Sequence, residues 1–292
     1  MTQKTNLIDG TAIAAATRAE TAQRVAALKA SKGITPGLAT VLVGDDPASA
    51  VYVGAKRKAC EEVGMNSIGY TLPATASEAE VVALVRELAG RKDVHGILTQ
   101  FPLPKHIRED AVLAEIPIGK DVDGFNPINM GLLGLKGKRA PFAPCTPQGC
   151  VELLVRTGVQ IAGKRAVVLG RSAIVGLPVG LMLLARDATV TYCHSKTPNL
   201  AAVTREADIL IAAIGKARFV TADMVKPGAV VIDVGINRIS DPTRKSGSRL
   251  VGDVDFDAVA PLASAITPVP GGVGPMTIAM LLRNTLEAAE RL

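Results

Sequence analysis

Short runs of apolar, often β-branched residues alternate with longer amphipathic stretches along the whole chain. The apolar runs predict strands at residues 38–44, 95–103, 165–170, 189–194, 209–215 and 229–235. The amphipathic stretches predict helices that include residues 11–30, 47–64 and 77–90. This alternation is typical of an α/β fold with mainly parallel strands.

Two stretches rich in glycine and proline, residues 117–149 and 267–276, interrupt the pattern. A long irregular segment in a compact protein is usually a functional loop or a domain crossing. We therefore predict a first α/β domain over residues 1–145 and a second over residues 146–270. A last helix within 271–292 is expected to pack back on the first domain.

Composition limits the classes of function. With 292 residues and 48% apolar content, the chain can bury a substantial core as one large domain or two ordinary ones. The net charge of +6 is spread along the chain, and aromatic residues make up only 3%, which favours anionic small molecules over nucleic acid. No run approaches a membrane span or a signal peptide, so we expect a cytoplasmic protein with no membrane or nucleic-acid partner.

Local spacing predicts no metal site. The chain has four scattered cysteines, namely Cys60, Cys145, Cys150 and Cys193. Their spacing matches no common zinc motif, so we interpret them as reduced structural thiols. A calcium loop beginning at Asp121 would need glycine and glutamate where Asn126 and Leu132 stand.

A glycine-containing turn follows the predicted strand RAVVLG. Gly170, Gly176 and Gly180 are spaced like the turn that holds a dinucleotide pyrophosphate at a helix N-terminus. Ser172 stands where the second glycine is usual, although a serine still offers a hydroxyl and an N–H. Taken alone, the pattern also fits an ordinary strand-to-helix turn.

The next strand indicates which dinucleotide would bind. It ends at His194, Ser195 and Lys196, where an NAD enzyme usually carries an acidic residue for the ribose. This cluster, with Arg171 in the phosphate turn, would attract a 2′-phosphate and therefore favours NADP. An ordinary polar strand end is the alternative.

Two later strands end in glycine, at Gly215 and at Gly235. In an open parallel sheet the ligand lies at the carboxyl ends of the strands. Gly215 and the segment from Gly235 through Ile236 to Asn237 are therefore candidates to line the cofactor. Structural turn glycines would give the same pattern.

Tyr52 and Lys56 lie one turn apart on the helix predicted at residues 47–64. A Tyr-x-x-x-Lys pair suggests the short-chain dehydrogenases, but there the pair follows the nucleotide turn. Here it precedes Gly170 by more than 100 residues, so chain order disfavours that analogy. A polar stripe on a surface helix is the remaining simple interpretation.

Seven ordered segments resolve the ambiguity: YVGAKRKACEEVGM, GILTQFPLP, KDVDGFNPIN, PCTPQG, GRSAIVGLP, VIDVGINR and ITPVPGGVGPMT. Together they resemble the bifunctional methylenetetrahydrofolate dehydrogenase/cyclohydrolase family of the FolD type. The resemblance implies an N-terminal catalytic domain and a Rossmann-like NADP-binding domain. It also implies NADP-dependent oxidation of 5,10-methylenetetrahydrofolate, hydrolysis of the methenyl product to 10-formyltetrahydrofolate, and a homodimer. This chemistry belongs to one-carbon metabolism and serves purine and amino-acid biosynthesis.

The resemblance assigns four catalytic candidates. Lys56 matches the family's catalytic lysine, and Gln100 matches the glutamine that positions it. Tyr52 would stack its ring on the aminobenzoyl portion of the folate and orient Lys56 through its hydroxyl, and Asp123 would hold the amino-pyrimidine edge of the pterin. Without the resemblance, Gln100 would be interpreted as satisfying backbone groups, and for Asp121 we expect a turn or helix-cap role.

The remaining site residues combine the patterns described above with the same resemblance. The predicted substrate-binding residues are Tyr52, Gln100, Asp123, Pro270, Gly271 and Gly272. The predicted cofactor-binding residues are Gly170, Arg171, Ser172, His194, Ser195, Gly215, Gly235, Ile236 and Thr277. A purely structural hinge at the PGGVGPM segment remains possible. Arg57 and Lys58 are expected to be solvent-facing charges.

Two rival functions remain open at this point. A monofunctional dehydrogenase is disfavoured because Tyr52, Lys56 and Gln100 are all present. A non-catalytic, NADP-binding regulatory protein would bind the cofactor and leave the folate unchanged. The polar stretch at residues 240–250 predicts a hairpin or loop away from the site.

Overall fold

The structure is a computed structural model that describes residues 6–135, 140–244 and 247–291. Its strands are β1 (Asn6–Leu7), β2 (Gly37–Val43), β3 (Asn66–Leu72), β4 (Gly96–Thr99), β5 (Arg165–Leu169), β6 (Thr189–Cys193), β7 (Ile209–Ala212), β8 (Val230–Asp233), β9 (Asn237–Ser240), β10 (Ser248–Val251) and β11 (Ala265–Ile266). Its α-helices are α1 (Gly10–Lys32), α2 (Pro47–Glu62), α3 (Glu78–Gly90), α4 (Glu109–Ala114), α5 (Pro127–Leu133), α6 (Cys145–Arg156), α7 (Gly176–Leu184), α8 (Leu200–Thr204), α9 (Phe256–Val259) and α10 (Val273–Glu290).

The chain forms two compact units. Unit 1 contains the described residues up to Ala14 together with Thr146–Thr277. Unit 2 contains Ala15–Cys145 together with the chain from Ile278 onward. This division differs from the predicted boundaries at the start of the chain, because β1 pairs in parallel with β11 of unit 1.

Unit 2 is built on a three-stranded parallel sheet in the order β3-β2-β4. Every residue of the central strand β2 is buried, as expected for a parallel strand covered on both faces. Val81, Val85 and Leu88 of α3 are fully buried and belong to the same core as Val41 and Ile97. This core fixes the carboxyl end of β4, where Gln100 follows.

The sequence pattern did not reveal β3. Gly69 lies in the middle of this strand, where a glycine normally weakens strand formation. The guanidinium of Arg57 occupies the space that a Cβ at Gly69 would fill. The glycine is therefore explained by a close side-chain approach that no local pattern can display.

Unit 1 contains a six-stranded parallel sheet in the order β1-β11-β8-β7-β5-β6. The chain passes from β5 to the edge strand β6 and then returns to the other side of β5 to form β7. Such a reversal of strand order marks the position where open α/β sheets bind ligands at the strands' carboxyl ends. The fold therefore confirms the predicted Rossmann-like α/β class.

The described ends of the polar stretch at residues 240–250 contribute to an antiparallel pair of strands. β9 and β10 pair antiparallel, with Asn237 opposite Val251 and Ser240 opposite Ser248. The hairpin is as predicted, but its expected distance from the site is wrong, because Leu250 lines a cavity together with the predicted site residues Gly235 and Pro270. Within the part of the chain that the structure describes, no helix is long and apolar enough to cross a membrane.

Candidate active site

Helix α2 carries Lys56 and begins with strong local signals. The carboxylate of Asp46 accepts a hydrogen bond from Ser49 N at 2.8 Å, and Pro47 occupies the first turn, where its missing N–H costs nothing. The helix therefore starts at a fixed residue. This fixes the face of α2 on which Tyr52 and Lys56 lie.

Lys56 and Gln100 meet as the sequence predicted. Lys56 Nζ donates to Gln100 Oε1 at 3.0 Å, while Gln100 Nε2 donates to the carbonyl of Phe101 at 2.7 Å. Gln100 N also donates to Val41 O at 2.8 Å, which ties the strand end to β2. With Nε2 engaged, the amide oxygen points to the lysine. Gln100 thus makes both of the contacts considered for it, one to a backbone carbonyl and one to Lys56.

Tyr52 lies one helical turn from Lys56 and its side chain is 51% exposed. Within residues 6–135, 140–244 and 247–291, its hydroxyl makes no hydrogen bond, including none to Lys56. The ring is therefore free to contact a flat ligand from solvent. Orientation of Lys56 comes from Gln100 instead.

Asp123 is partly buried beside Lys56 and Cys145. Burial raises the pKa of its carboxyl group, while the charge of Lys56 and a hydrogen bond with the Cys145 thiol lower it. Behind it, the Cys145 thiol contacts Val122 O at 3.3 Å, and Asn284 Nδ2 donates to the same carbonyl at 2.8 Å. One carboxylate and one ammonium group are therefore held in the same part of unit 2.

Asp121 has a structural role, as predicted. Its carboxylate accepts hydrogen bonds from Phe125 N at 3.1 Å, Asn126 N at 2.8 Å and Asn129 Nδ2 at 2.7 Å. Burial raises the pKa of Asp121 to about 6. The residue organises the turn that leads into α5.

The expectation for Arg57 is wrong, whereas that for Lys58 is confirmed. Arg57 is partly buried over Gly69, and its Nε donates to Thr40 Oγ1 at 3.4 Å. The Lys58 side chain is 78% exposed and lies 4.0 Å from Glu62. Arg57 therefore packs against the sheet, and only Lys58 is a solvent-facing charge.

The predicted phosphate turn lies in unit 1 between β5 and α7. Gly170 has a φ of 125°, and a Cβ there would collide with the carbonyl of Ala213. A Cβ at Gly176 would overlap the backbone of Gly170, and one at Gly180 would overlap the Tyr192 hydroxyl. The three glycines are thus required by close approach, including the helix-to-strand contact expected of the third glycine in this motif.

Ser172 compensates for the missing second glycine. Its hydroxyl oxygen accepts hydrogen bonds from Val175 N at 3.2 Å and Gly176 N at 3.3 Å, so the hydroxyl proton remains available. In the described chain, the backbone N–H groups of residues 171–174 make no hydrogen bonds, and these residues are exposed. Free donors at a helix N-terminus fit a bound phosphate.

The two predicted halves of the dinucleotide site are adjacent. Leu169 at the end of β5 pairs with Cys193 at the end of β6, and Gly170 N donates to Cys193 O at 2.9 Å. His194 and Ser195 therefore follow directly beside the phosphate turn. Lys196 N donates to His194 Nδ1 at 3.2 Å, which leaves Nε2 as the ring's N–H.

A second group of predicted residues surrounds a cavity of about 150 Å³ in unit 1. Its lining combines two sets that the sequence treated separately, a cofactor set and a substrate set. Among the lining residues, Gly235 and Ile236 belong to the predicted cofactor set, and Pro270, Gly271 and Gly272 belong to the predicted substrate set. Gly271 has a φ of 100°, and its carbonyl accepts a hydrogen bond from Thr11 N at 2.9 Å.

Thr277 lies near the start of α10, apart from the cavity lining. Its hydroxyl shares a hydrogen bond with that of Thr146 at 2.9 Å. Sequence reasoning missed two buried carboxylates close to the predicted cofactor residues, Asp233 and Asp253. Asp233 belongs to the strand segment VVIDVG, but the contacts that it makes with Asp253 and Val254 join segments that are distant in sequence.

Two family models match the chain. The tetrahydrofolate dehydrogenase/cyclohydrolase catalytic domain matches residues 8–123, and the NAD(P)-binding domain of the same family matches residues 144–292. The bifunctional protein FolD of Geobacillus thermodenitrificans is 59% identical over 98% of this chain and 98% of its own length. Bifunctional protein FolD 2 of Arabidopsis thaliana is 57% identical over 98% of this chain and 96% of its own length.

Solved structures agree with the family models. The bifunctional FolD of Campylobacter jejuni has a TM-score of 0.92 and 49% identity, covering 99% of this chain and 100% of that one. The Trypanosoma brucei FolD, solved with NADP and an inhibitor, has a TM-score of 0.93 and 43% identity, covering 98% of both chains. This chain therefore belongs to the tetrahydrofolate dehydrogenase/cyclohydrolase family.

Proposed function

We propose that Lys56, held by Gln100, transfers protons in the hydrolytic half of a bifunctional enzyme. The chain is an NADP-dependent methylenetetrahydrofolate dehydrogenase and methenyltetrahydrofolate cyclohydrolase. It oxidises 5,10-methylenetetrahydrofolate to the 5,10-methenyl cation and hydrolyses that cation to 10-formyltetrahydrofolate. The single observation that carries the assignment of roles is the 3.0 Å contact between Lys56 Nζ and Gln100 Oε1.

The hydrolytic step requires proton transfer. Water loses a proton as it adds to the methenyl carbon, and a ring nitrogen gains a proton as its bond to that carbon breaks. Lys56 is the group we assign to both transfers, because a fixed amine within reach of the adduct can accept and return one proton. Gln100 positions that amine, because its side-chain oxygen accepts a hydrogen bond from Nζ at 3.0 Å, and it stays in the set that we assign to the folate.

Asp123 and Tyr52 bind the folate in this proposal. A carboxylate accepts two N–H donors from the amino-pyrimidine edge of the pterin, and the exposed Tyr52 ring offers a face for the aminobenzoyl group. Both contacts serve the two reactions equally. The oxidation itself needs orientation more than a protein acid, because the nitrogens of the folate stabilise the resulting cation.

The cofactor site of unit 1 fits NADP. When bound, NADP⁺ supplies the acceptor for the hydride that leaves the methylene carbon. The residues that would hold its phosphates are the free N–H groups of residues 171–174 and the Ser172 hydroxyl, while Arg171, His194 and Ser195 would face the 2′-phosphate. Gly215, Gly235, Ile236 and Thr277 complete the set we assign to the cofactor.

One assay tests both the function and the cofactor preference. Methylenetetrahydrofolate is mixed with NADP⁺ or NAD⁺, and the methenyl absorbance and the reduced nicotinamide are followed. We expect the wild type to prefer NADP⁺, and Arg171→Ala to lose about 10- to 100-fold of that preference, because one charge-assisted contact is removed.

Arg205→Ala is the matched control, since this exposed arginine follows α8 and lies outside the predicted site. It should retain the wild-type preference. If wild-type NADP⁺ does not outperform NAD⁺, the assignment of Arg171, His194 and Ser195 is wrong. If the protein binds NADP but leaves the folate unchanged, the regulatory alternative is correct.

The proposal also includes a homodimer, a cytoplasmic location and a supply role for purine and amino-acid biosynthesis. Support for self-association comes from the edge strand β6 and from three exposed apolar side chains beside it, Ile174, Leu177 and Leu184. Four free cysteines support a reducing compartment. Light scattering should give about twice the 30.2 kDa chain mass, and a monomer mass would contradict the dimer.

A further inference from the structure

Asp253 is a fully buried carboxylate that follows the β9–β10 hairpin. Its Oδ2 accepts hydrogen bonds from Ile214 N at 2.7 Å and Gly215 N at 2.9 Å. Its Oδ1 accepts one from Asn237 Nδ2 at 2.9 Å. One side chain therefore holds the loop that follows β7 and the loop that follows β8.

Asp253 is itself fixed from two sides. Its N–H donates to Asp233 Oδ1 at 2.9 Å, and its carbonyl accepts from Val220 N at 2.9 Å. Asp233 also accepts hydrogen bonds from Gly235 N at 3.0 Å and Val254 N at 3.0 Å. The carboxylate of Asp253 thus sits on a rigid support.

Both carboxylates are packed closely against glycine backbone. A Cβ at Gly235 would overlap the Asp253 carboxylate, and a Cβ at Gly252 would overlap that of Asp233. In the described residues, Asp253 forms no ion pair with a basic side chain. Its charge is therefore met by three N–H donors, and such charge-assisted bonds are stronger than neutral ones.

We propose that Asp253 is a positioning residue for the dinucleotide, acting through Gly215 and Asn237. Two loops that must meet one ligand would otherwise be ordered separately, each at an entropic cost during binding. A shared buried acceptor orders both before the ligand arrives. This inference rests on the proposed cofactor site and names a residue that the sequence pattern did not select.

The test is Asp253→Asn, which replaces one acceptor oxygen with an NH₂ group facing N–H donors. We expect calorimetry to show NADP binding weakened by about 10- to 50-fold. We also expect the Ile214 and Gly215 amide hydrogens to exchange at least 10-fold faster in the cofactor-free protein. Asp257→Asn is the matched control, because Asp257 is exposed four residues away and should change neither measurement.

A second variant covers the case in which Asp253→Asn does not fold. Gly235→Ala pushes on the Asp253 carboxylate from the β8 side, so faster exchange at Ile214 and Gly215, in the other loop, would report displacement of Asp253. If the Ile214 and Gly215 amide hydrogens of Gly235→Ala exchange as slowly as those of the wild type, the inference is overturned. Unchanged NADP affinity in folded Asp253→Asn would also overturn it.

Failure of the proposed function would look different. Wild-type protein that binds NADP but does not oxidise methylenetetrahydrofolate would overturn the enzyme assignment, while weaker binding by Asp253→Asn would still support the positioning role. An active wild type whose Asp253→Asn variant binds NADP normally would overturn only the positioning role.

Discussion

Replacing Lys56 with methionine is expected to reduce methenyltetrahydrofolate hydrolysis by about 10²- to 10⁴-fold, the range typical of a lost general acid or base. Methionine retains the length and apolar stem of lysine but cannot transfer a proton. The Gln100 oxygen loses its donor at 3.0 Å, yet both groups are only partly buried, so water can replace it. Hydrolysis is measured as the decay of the methenyl absorbance without cofactor.

Lys58→Met is the matched control for this variant. Lys58 lies on the same helix, is 78% exposed and makes only a 4.0 Å contact with Glu62. It should hydrolyse the methenyl compound at the wild-type rate. Lys56→Met should also bind NADP with unchanged affinity, because Lys56 is held by Gln100 and is not among the residues that we assign to the cofactor. Normal hydrolysis by Lys56→Met would remove the lysine from the mechanism.

Loss of Lys56 should also shift a pH profile. The charge of Lys56 lowers the pKa of Asp123, which burial raises. Without that cation, the pKa of Asp123 rises. On acidification, Asp123 is then protonated at a higher pH and no longer offers a carboxylate to the folate. The acid limb of the pH profile of kcat/KM for oxidation should therefore move to higher pH in Lys56→Met.

Local patterns predicted the strands and helices that position the site. The helix at residues 47–64 and the apolar runs of β2 and β5 were predicted from patterns that are local in sequence, so they could be recognised without contacts. The placement of β3 could not be predicted, because Gly69 is explained only by Arg57 lying over it. The same limit applies to Arg57 itself, because its burial depends on β3, which follows α2 in the chain.

The candidate site shows the same division. Ser172 was recognised as a departure from the glycine pattern, but its compensation by bonds to Val175 and Gly176 needed coordinates. Asp253 gave no signal, because the backbone N–H groups that it accepts, those of Ile214 and Gly215, lie 39 and 38 positions earlier in the chain. Roles that depend on contacts between distant segments can be recognised only once the fold is known.

The second large effect is expected at Asp123. In Asp123→Asn, one oxygen that accepts a pterin N–H becomes an NH₂ group that opposes it, and the negative charge is lost. Losing a charge-assisted bond and leaving a donor unpaired costs about 3 to 4 kcal/mol, so kcat/KM for folate should fall roughly 10²- to 10³-fold. Oxidation and hydrolysis should fall together, because both use the same bound folate.

Asp121→Asn is the comparison variant for Asp123→Asn, because it removes the neighbouring carboxylate. Asp121→Asn disturbs three hydrogen bonds from Phe125, Asn126 and Asn129, and should lower the free energy of unfolding by about 2 kcal/mol. Asp123→Asn should unfold at nearly the wild-type temperature, since its carboxylate holds no backbone amide in the described chain. If Asp123→Asn instead loses stability and keeps its folate kcat/KM, Asp123 is structural and another group holds the pterin.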